Sequence, residues 1–363
     1  MSSRVLMTGN DAVGEAAIRA GCDAYYGYPI TPQNELTAYM ARHMPDRGRV
    51  CIQAESELAA INMVFGSSAA GRRAMTSSSS PGISLKQEGI SYLAGAELPA
   101  VIVNVQRGGP GLGNIAPSQS DYFQATKGGG HGDYHQIVLA PESVQEMHDL
   151  TVLAFELADR YRTPVMVLAD GQLGQMMEPL NPYEGPPPPV PEKPWALTGA
   201  EGREPRIIRS LYLGDGELEG LNLRLQQRYA RITESEVRFR EYSTDDCNIL
   251  LVAYGTSARI ARGALKALRA EGCAAGLLRP VTLWPFPSER ISELARRVEA
   301  VLVVEMSSGQ MVEDVRLAVE GNAPVLFEGR MGGEIPKQAA IVERAKSAAA
   351  AGQAAAQCEC RHD

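Results

Sequence analysis

Four places in the first third of the chain carry side chains able to do chemistry, and each stands where a short apolar run gives way to a helical one. Thr31 lies between Pro29 and Pro32 in "GYPITPQ". Glu55 and Glu57 stand in "QAESELAAINM". Ser77 to Ser80 precede Pro81 in "TSSSSPGIS", and Arg107 follows "PAVIVNVQ". A carboxylate, a guanidinium and several hydroxyls sharing one crevice would combine proton exchange, pairing with an anion and hydrogen bonding to an oxygen that gains charge. Proline needs no amide hydrogen and fixes φ, so Pro32 predicts a helix start with Thr31 as its N-cap. In an open α/β sheet the same corner is the carboxyl end of a strand, where ligands bind. Each residue also has an ordinary reading. Glu55 and Glu57 would then be first-turn acids favoured by the helix dipole, Ser80 a cap before Pro81, and Arg107 a solvated loop charge.

The elements that must position these residues alternate. Between Val5 and Asp170, "RVLMTG", "DAYYGYP", "RVCIQ", "RAMTSS", "PAVIVNV", "HQIVLA" and "TPVMVLAD" read as strands, and the longer stretches between them have helical spacing. That pattern predicts an α/β fold with a doubly wound, mostly parallel sheet. Its strand-to-helix corners share one edge, which brings Thr31, Glu55, Glu57, the serines and Arg107 together. Proline density changes abruptly in "EPLNPYEGPPPPVPEKPWALTGAEGREP" and excludes a packed helix there. The expected organisation is a first domain over residues 1–178, a proline-rich linker and charged helical arm over 179–246, a smaller α/β domain over 247–345, and a tail over 346–363. In the second domain "AAGLLRPVTLWPF" reads as a single strand.

At 363 residues the chain is long enough for two or three cores, and 43 acids against 35 bases leave a net charge of −8. That sign argues against a nucleic-acid or anionic-membrane partner. The start has no basic segment followed by a long apolar core, and no apolar run has the length of a membrane span, so a cytoplasmic location is expected. The six cysteines are scattered and form no Cys-x-x-Cys, so neither a disulfide framework nor an iron–sulfur ligand series is expected. Cys358 and Cys360, in "CECRH", read as part of a frayed tail.

Several motifs fall short. "GNDAVGEA" lacks the Lys-Ser/Thr of a phosphate loop, and "GGPGLGN" and "GGGHGDY" do not space their glycines for a dinucleotide turn. His131 and His135 sit among glycines that do not favour a metal-bearing helix.

The strings "GYPITP", "QAESELAAINMVFG", "TSSSSPGISLKQEGISYLAGAELP", "NVQRGGPGLGNIAPSQSDYFQATKGGGHGDY", "PVTLWPFP" and "VEMSSGQMVEDVRLAV" resemble the alpha subunits of 2-oxoacid:ferredoxin oxidoreductases. The resemblance is closest to the branched-chain type acting on 3-methyl-2-oxobutanoate (2-ketoisovalerate), with the 2-oxoglutarate type very near. It implies CoA-dependent oxidative decarboxylation of a 2-oxoacid to an acyl-CoA and CO2, with electrons passed to ferredoxin. It also implies a pyrimidine-type thiamine diphosphate-binding domain followed by a transketolase C-terminal-like domain. Glu57 matches the glutamate that hydrogen-bonds the aminopyrimidine ring, with Tyr28 and Pro29 beside the cofactor. Thr31 matches the threonine near the substrate carbonyl, and Arg107 the arginine at its carboxylate. The apolar neighbours Ala59, Ala60 and Ile61 would favour sharing of a proton between Glu57 and the ring.

The resemblance implies a divided cofactor site. Family members hold Mg²⁺ and the diphosphate through Gly-Asp-Gly followed by paired asparagines, whereas Gly214, Asp215 and Gly216 lie in the inter-domain arm with no Asn-Asn after them. A beta subunit is therefore expected to carry the diphosphate and Mg²⁺ site. A gamma subunit and a ferredoxin-like delta subunit would complete the coenzyme A and electron paths through 4Fe–4S clusters, and no metal ligand is expected in this chain. Two other readings stay open: a noncatalytic assembly subunit, and a self-sufficient thiamine decarboxylase or transketolase-like enzyme.

Overall fold

In the computed structural model, which describes residues 4–359, short apolar runs and amphipathic ones resolve into two α/β units. The first contains β1 (Val5–Thr8), α1 (Gly9–Arg19), β2 (Ala24–Gly27), α2 (Asn34–His43), β3 (Val50–Gln53), α3 (Glu57–Ala69), β4 (Ala74–Ser78) and α4 (Ser80–Gly95). It continues through β5 (Ala100–Gln106), α5 (Tyr122–Thr126), β6 (Ile137–Leu139), α6 (Val144–Tyr161), β7 (Pro164–Asp170), α7 (Gly171–Gln175) and β8 (Met177–Leu180). After a long coil come α8 (Glu217–Ser235), β9 (Phe239–Tyr242), β10 (Ile249–Ala253), α9 (Gly255–Ala270), β11 (Ala275–Pro280) and β12 (Thr282–Trp284). The chain ends with α10 (Ser288–Ala295), β13 (Ala300–Glu305), α11 (Met311–Val319), β14 (Val325–Gly329) and α12 (Gln338–Glu359).

The main sheet has seven strands in the order β12-β6-β7-β5-β4-β2-β3, parallel except for β12. Strands β2, β4, β5, β6 and β7 are buried throughout, because helices cover both faces. The second sheet, β14-β13-β10-β11-β9, is parallel except for β9.

Three expectations are corrected. "RVLMTG" is a strand, but it pairs antiparallel with β8 in a separate ribbon. The Thr8 hydroxyl accepts from the Asp11 amide and turns the chain at once into α1, and Pro179 in β8 suits a two-stranded edge that needs few amide donors. "AAGLLRPVTLWPF" is two strands. The chain leaves the second sheet at Pro280, and β12 crosses to pair antiparallel with β6. The segment 346–359, expected as a tail, continues α12, whose Ile341, Ala345 and Ala348 pack into the core beneath α9. The Cys358 and Cys360 side chains lie outside the described residues.

The expected arm, which ran to residue 246, holds one helix, α8, which buries Leu221, Leu225, Tyr229 and Ile232 against the first unit at helical spacing, and its end is β9, which pairs with β11 and so starts the second unit before residue 247. The proline-rich coil before it is fastened down by side chains. Arg73, 3% exposed, bonds Asp159 at 2.7 Å through Nε and donates to the carbonyls of Ala20 (2.6 Å), Pro188 (2.8 Å) and Pro189 (3.0 Å). Lys193 adds a second ion pair to Asp159 at 2.7 Å. Removing the guanidinium leaves the buried Asp159 carboxylate to Lys193 and takes the donor from three carbonyls, so Arg73→Met should cost about 3–5 kcal/mol in denaturant unfolding. The same variant should make residues 186–196 the first site of limited proteolysis.

Candidate active site

Strands β2, β3, β4 and β5 are parallel neighbours, so their carboxyl ends open on one edge. Thr31 follows β2, Glu57 follows β3, Ser79 and Ser80 follow β4, and Arg107 follows β5. The expected corner therefore exists, and the structure shows how it is held.

Pro29 and Pro32 bring no amide hydrogens, so the turn around Thr31 depends on side-chain donors. Arg107 Nη1 donates to the Thr31 carbonyl at 2.9 Å, and Asn10 Nδ2 and Gln175 Nε2 donate to the Pro32 carbonyl at 2.8 and 2.9 Å. Thr31 is not an N-cap: α2 begins at Asn34, after Gln33, which makes no side-chain capping bond. Gln33 instead points inward and accepts from Ser77 Oγ at 2.6 Å, which draws the helix start beyond Pro32. Thr31 Oγ1 accepts from Asn34 Nδ2 at 3.3 Å, and its own hydrogen has no acceptor among the described residues.

Arg107 is 7% exposed rather than a solvated loop charge. Its Nη2 donates to the Leu112 carbonyl at 2.9 Å, while Nε is buried without a partner. Two of its five N–H donors are thus committed to backbone. Ser80 is likewise not a cap. Its Oγ donates to Asp121 at 2.6 Å and accepts from the Arg107 amide at 3.0 Å. Asp121 also accepts from Asn104 Nδ2 at 2.9 Å, and burial raises its pKa above the usual carboxylate range despite these bonds.

Glu55 and Glu57 part company. Glu55 is exposed, whereas Glu57 is 6% exposed in the first turn of α3, whose N-cap Ser56 accepts from the Ala59 amide at 3.1 Å. No described residue donates a hydrogen bond to the Glu57 carboxyl, and the neighbouring Ser78 and Ser79 hydroxyls are also buried without partners. Gly82 makes the space for it: a β-carbon there would stand 2.1 Å from Ser78 Oγ and 2.6 Å from Glu57 Oε1. Tyr28 and Pro29 are exposed at the rim of the same edge. Exposed Leu58, Leu85 and Leu112 also lie along it.

On the other side of the first turn of α4, a cleft of about 380 Å³ is lined by Ser80, Arg107, Ser120, Asp121, Gln310 and Gly332. The second unit closes it. Gln119, fully buried, donates to the Tyr254 carbonyl at 2.8 Å and accepts from the Met306 amide at 2.9 Å, joining the ends of β10 and β13 to the first unit. Glu305 accepts from the amides of Met311 and Val312, both at 2.9 Å, and so orients α11 with Gln310 at its start.

Sequence reasoning assigned no role to Asp121, Asn104 or Lys86. Lys86 is fully buried on α4, and burial lowers its pKa to about 7 against the opposing attraction of Glu57. One signal was visible, a lysine inside the otherwise uncharged run "SSSSPGISLKQ". The Gly214-Asp215-Gly216 stretch is an exposed turn leading into α8, and the His135 ring stacks on Trp284 at 4.6 Å.

The family model described as "Pyruvate flavodoxin/ferredoxin oxidoreductase, thiamine diP-bdg" matches residues 15–188, and "Pyruvate:ferredoxin oxidoreductase core domain II" matches 247–341. The chain is 56% identical to the ketoisovalerate oxidoreductase subunit VorB of Methanothermobacter thermautotrophicus, over 95% of its own length and 97% of that protein. It is 38% identical to the 2-oxoglutarate synthase subunit KorA of the same organism, over 94% and 98%. Among solved structures it superposes on the 2-oxoglutarate:ferredoxin oxidoreductase of Magnetococcus marinus, bound to 2-oxoglutarate, coenzyme A and succinyl-CoA. That match has a TM-score of 0.83 at 28% identity and covers 96% of this chain and 65% of the longer one.

The packing at Gly82 leads to a paired expectation. Gly82→Ala should displace Ser78 and Glu57 and destabilise the chain by about 1–3 kcal/mol. Gly66→Ala, on an open face of α3, should be neutral or stabilise by up to about 1 kcal/mol, both read by chemical denaturation.

Proposed function

The chain belongs to the 2-oxoacid:ferredoxin oxidoreductases as an alpha-type subunit, and from that premise we propose that it provides the pyrimidine side of a shared thiamine diphosphate site. The observation that carries the reading is a carboxyl group buried on α3 with no hydrogen-bond donor among the described residues. A buried charge is costly unless something pairs with it, so such a group implies a partner from outside. The residues fit thiamine diphosphate: Glu57 would hold a ring nitrogen of the aminopyrimidine, and the unpartnered Ser78 and Ser79 hydroxyls would supply further polar contacts. When bound, thiamine diphosphate supplies a carbon nucleophile and an electron sink for the 2-oxo carbon.

The chain's own residues prepare the reactants. Glu57 would offer its carboxyl as the hydrogen-bond partner of the ring nitrogen. Thr31, its carbonyl tied to Arg107, has a hydroxyl hydrogen available for the oxygen that gains charge on the substrate carbonyl. Arg107 stays charged and pairs with the substrate carboxylate through the donors that backbone does not take. The balanced reaction converts a 2-oxoacid, coenzyme A and two oxidised ferredoxins to acyl-CoA, CO2 and two reduced ferredoxins, with release of a proton.

Leu58, Leu85 and Leu112 adjoin Glu57, Lys86 and the Arg107 contact, and all three are exposed. A beta subunit seated on them would cover the site and bring the diphosphate and Mg²⁺ ligands this chain lacks. Gamma and ferredoxin-like delta subunits with 4Fe–4S clusters would complete the complex.

The substrate we propose is a branched-chain monocarboxylate of the 2-ketoisovalerate type. Among the described residues Arg107 is the one cation lining the cleft, with Asp121 beside it, so a second carboxylate would meet an acid rather than a base. The alternative is 2-oxoglutarate. In the reassembled complex, kcat/KM for 3-methyl-2-oxobutanoate should exceed that for 2-oxoglutarate by about 100-fold or more, read as viologen reduction. A preference for the dicarboxylate would move the assignment to the alternative. Glu57→Ala should lower 2-oxoacid-dependent viologen reduction by at least about 100-fold. Unchanged turnover would leave only a scaffold role.

A further inference from the structure

Lys86 is a fully buried charge that the proposed reaction does not use. It lies on α4 between Gly82 and Gly89, the two glycines at which α3 comes closest. A β-carbon at Gly82 would strike Glu57 Oε1 at 2.6 Å, and one at Gly89 would strike Ile61 Cγ2 at 2.5 Å. Residues 82 and 86 are one helical turn apart and share a face, so Lys86 stands one turn along α4 from the point where that helix meets Glu57.

The ammonium end is only partly satisfied. Nζ donates to Thr76 Oγ1 at 2.7 Å and to the Ser77 carbonyl at 3.2 Å. Thr76 Oγ1 gives its own hydrogen to the Tyr26 carbonyl at 2.6 Å, so toward Lys86 it can only accept. Two acceptors match the two hydrogens of a neutral amine, whereas an ammonium has three. The surrounding elements offer little compensating charge. β4 presents Thr76 and Ser77, and α2 and its cap present Thr37 and Gln33. β2 presents Tyr25, bonded to Ser77 Oγ at 2.6 Å and held neutral by a burial that pushes its phenol to about 12. Asp121 is taken up at the start of α4 by Ser80 and Asn104. Glu57, from α3, is the carboxylate left to act on Lys86, and it does so through space.

We propose that Lys86 is a positioning residue for Glu57: the two buried groups are not in direct contact but face each other across the close approach of α3 and α4, and the ammonium acts through space as the countercharge that orients the carboxylate. The bearing on turnover rests on the assignment of Glu57 above; the pair itself does not, because it lies wholly within this chain. Coupling between two sites is reciprocal, so either residue can report it.

The test uses the full chain labelled with ¹³C at lysine Cε. There are six lysines, and Lys86→Met identifies the resonance of interest. Lys86 should titrate near neutrality, apart from the other five, and Glu57→Gln should lower its midpoint by about one pH unit, tenfold in proton affinity. A Lys86 midpoint unmoved by Glu57→Gln, or one among those of ordinary lysines, overturns the proposal.

In the reassembled complex, Lys86→Met keeps the volume of the buried stem and should shift the pH profile of kcat/KM by about one unit. A profile lowered equally at every pH indicates a structural role and overturns it. Coupling seen by NMR together with turnover indifferent to Glu57→Ala upholds the pair and removes the catalytic reading of Glu57, so the two claims fail separately.

Discussion

A buried carboxyl group that receives no hydrogen bond from the described residues is the constraint around which the first unit is arranged. Glu57 can occupy that position because Ser56 ends the loop and caps α3, and because Gly82 leaves room where any side chain would collide with it. The close approach of α3 and α4 then continues through Gly89 against Ile61. With α3 and α4 packed this closely, the Glu57 side chain is 6% exposed. Leu58, Leu85 and Leu112 are exposed beside Glu57, Lys86 and the Arg107 contact.

The same economy of donors recurs wherever proline removes backbone hydrogens. Around Thr31 the carbonyls are held by Arg107, Asn10 and Gln175, which link the ends of β2, β5 and the segments at α1 and α7. Along the proline-rich coil Arg73 and Lys193 converge on Asp159. At the junction of the two units Gln119 satisfies backbone of the second unit from the first. Buried polar side chains of this kind are satisfied only in one arrangement, so they fix geometry more than they add stability.

Much of this was legible in the residues themselves. The parallel sheet showed in β-branched runs such as β5 and β7, and its carboxyl edge followed from the alternation with helices, so Thr31, Glu57 and Arg107 could be placed at one edge before any coordinates. Long strings such as "TSSSSPGISLKQEGISYLAGAELP" carried the family. What the sequence could not decide were events set by contacts distant along the chain. Whether β1 joined the main sheet depended on β8, and whether β12 stayed with its unit depended on β6, partners far away in sequence. Thr31 lost the cap because Gln33 found Ser77, and Ser80 lost it because Asp121 and Arg107 compete for its hydroxyl. Local pattern determines which residues reach an edge, since periodicity and turn chemistry act over a few residues. Only the folded chain decides which of two glutamates is buried and which lysine is buried near it, because burial and pairing are properties of neighbours that the chain brings together from elsewhere.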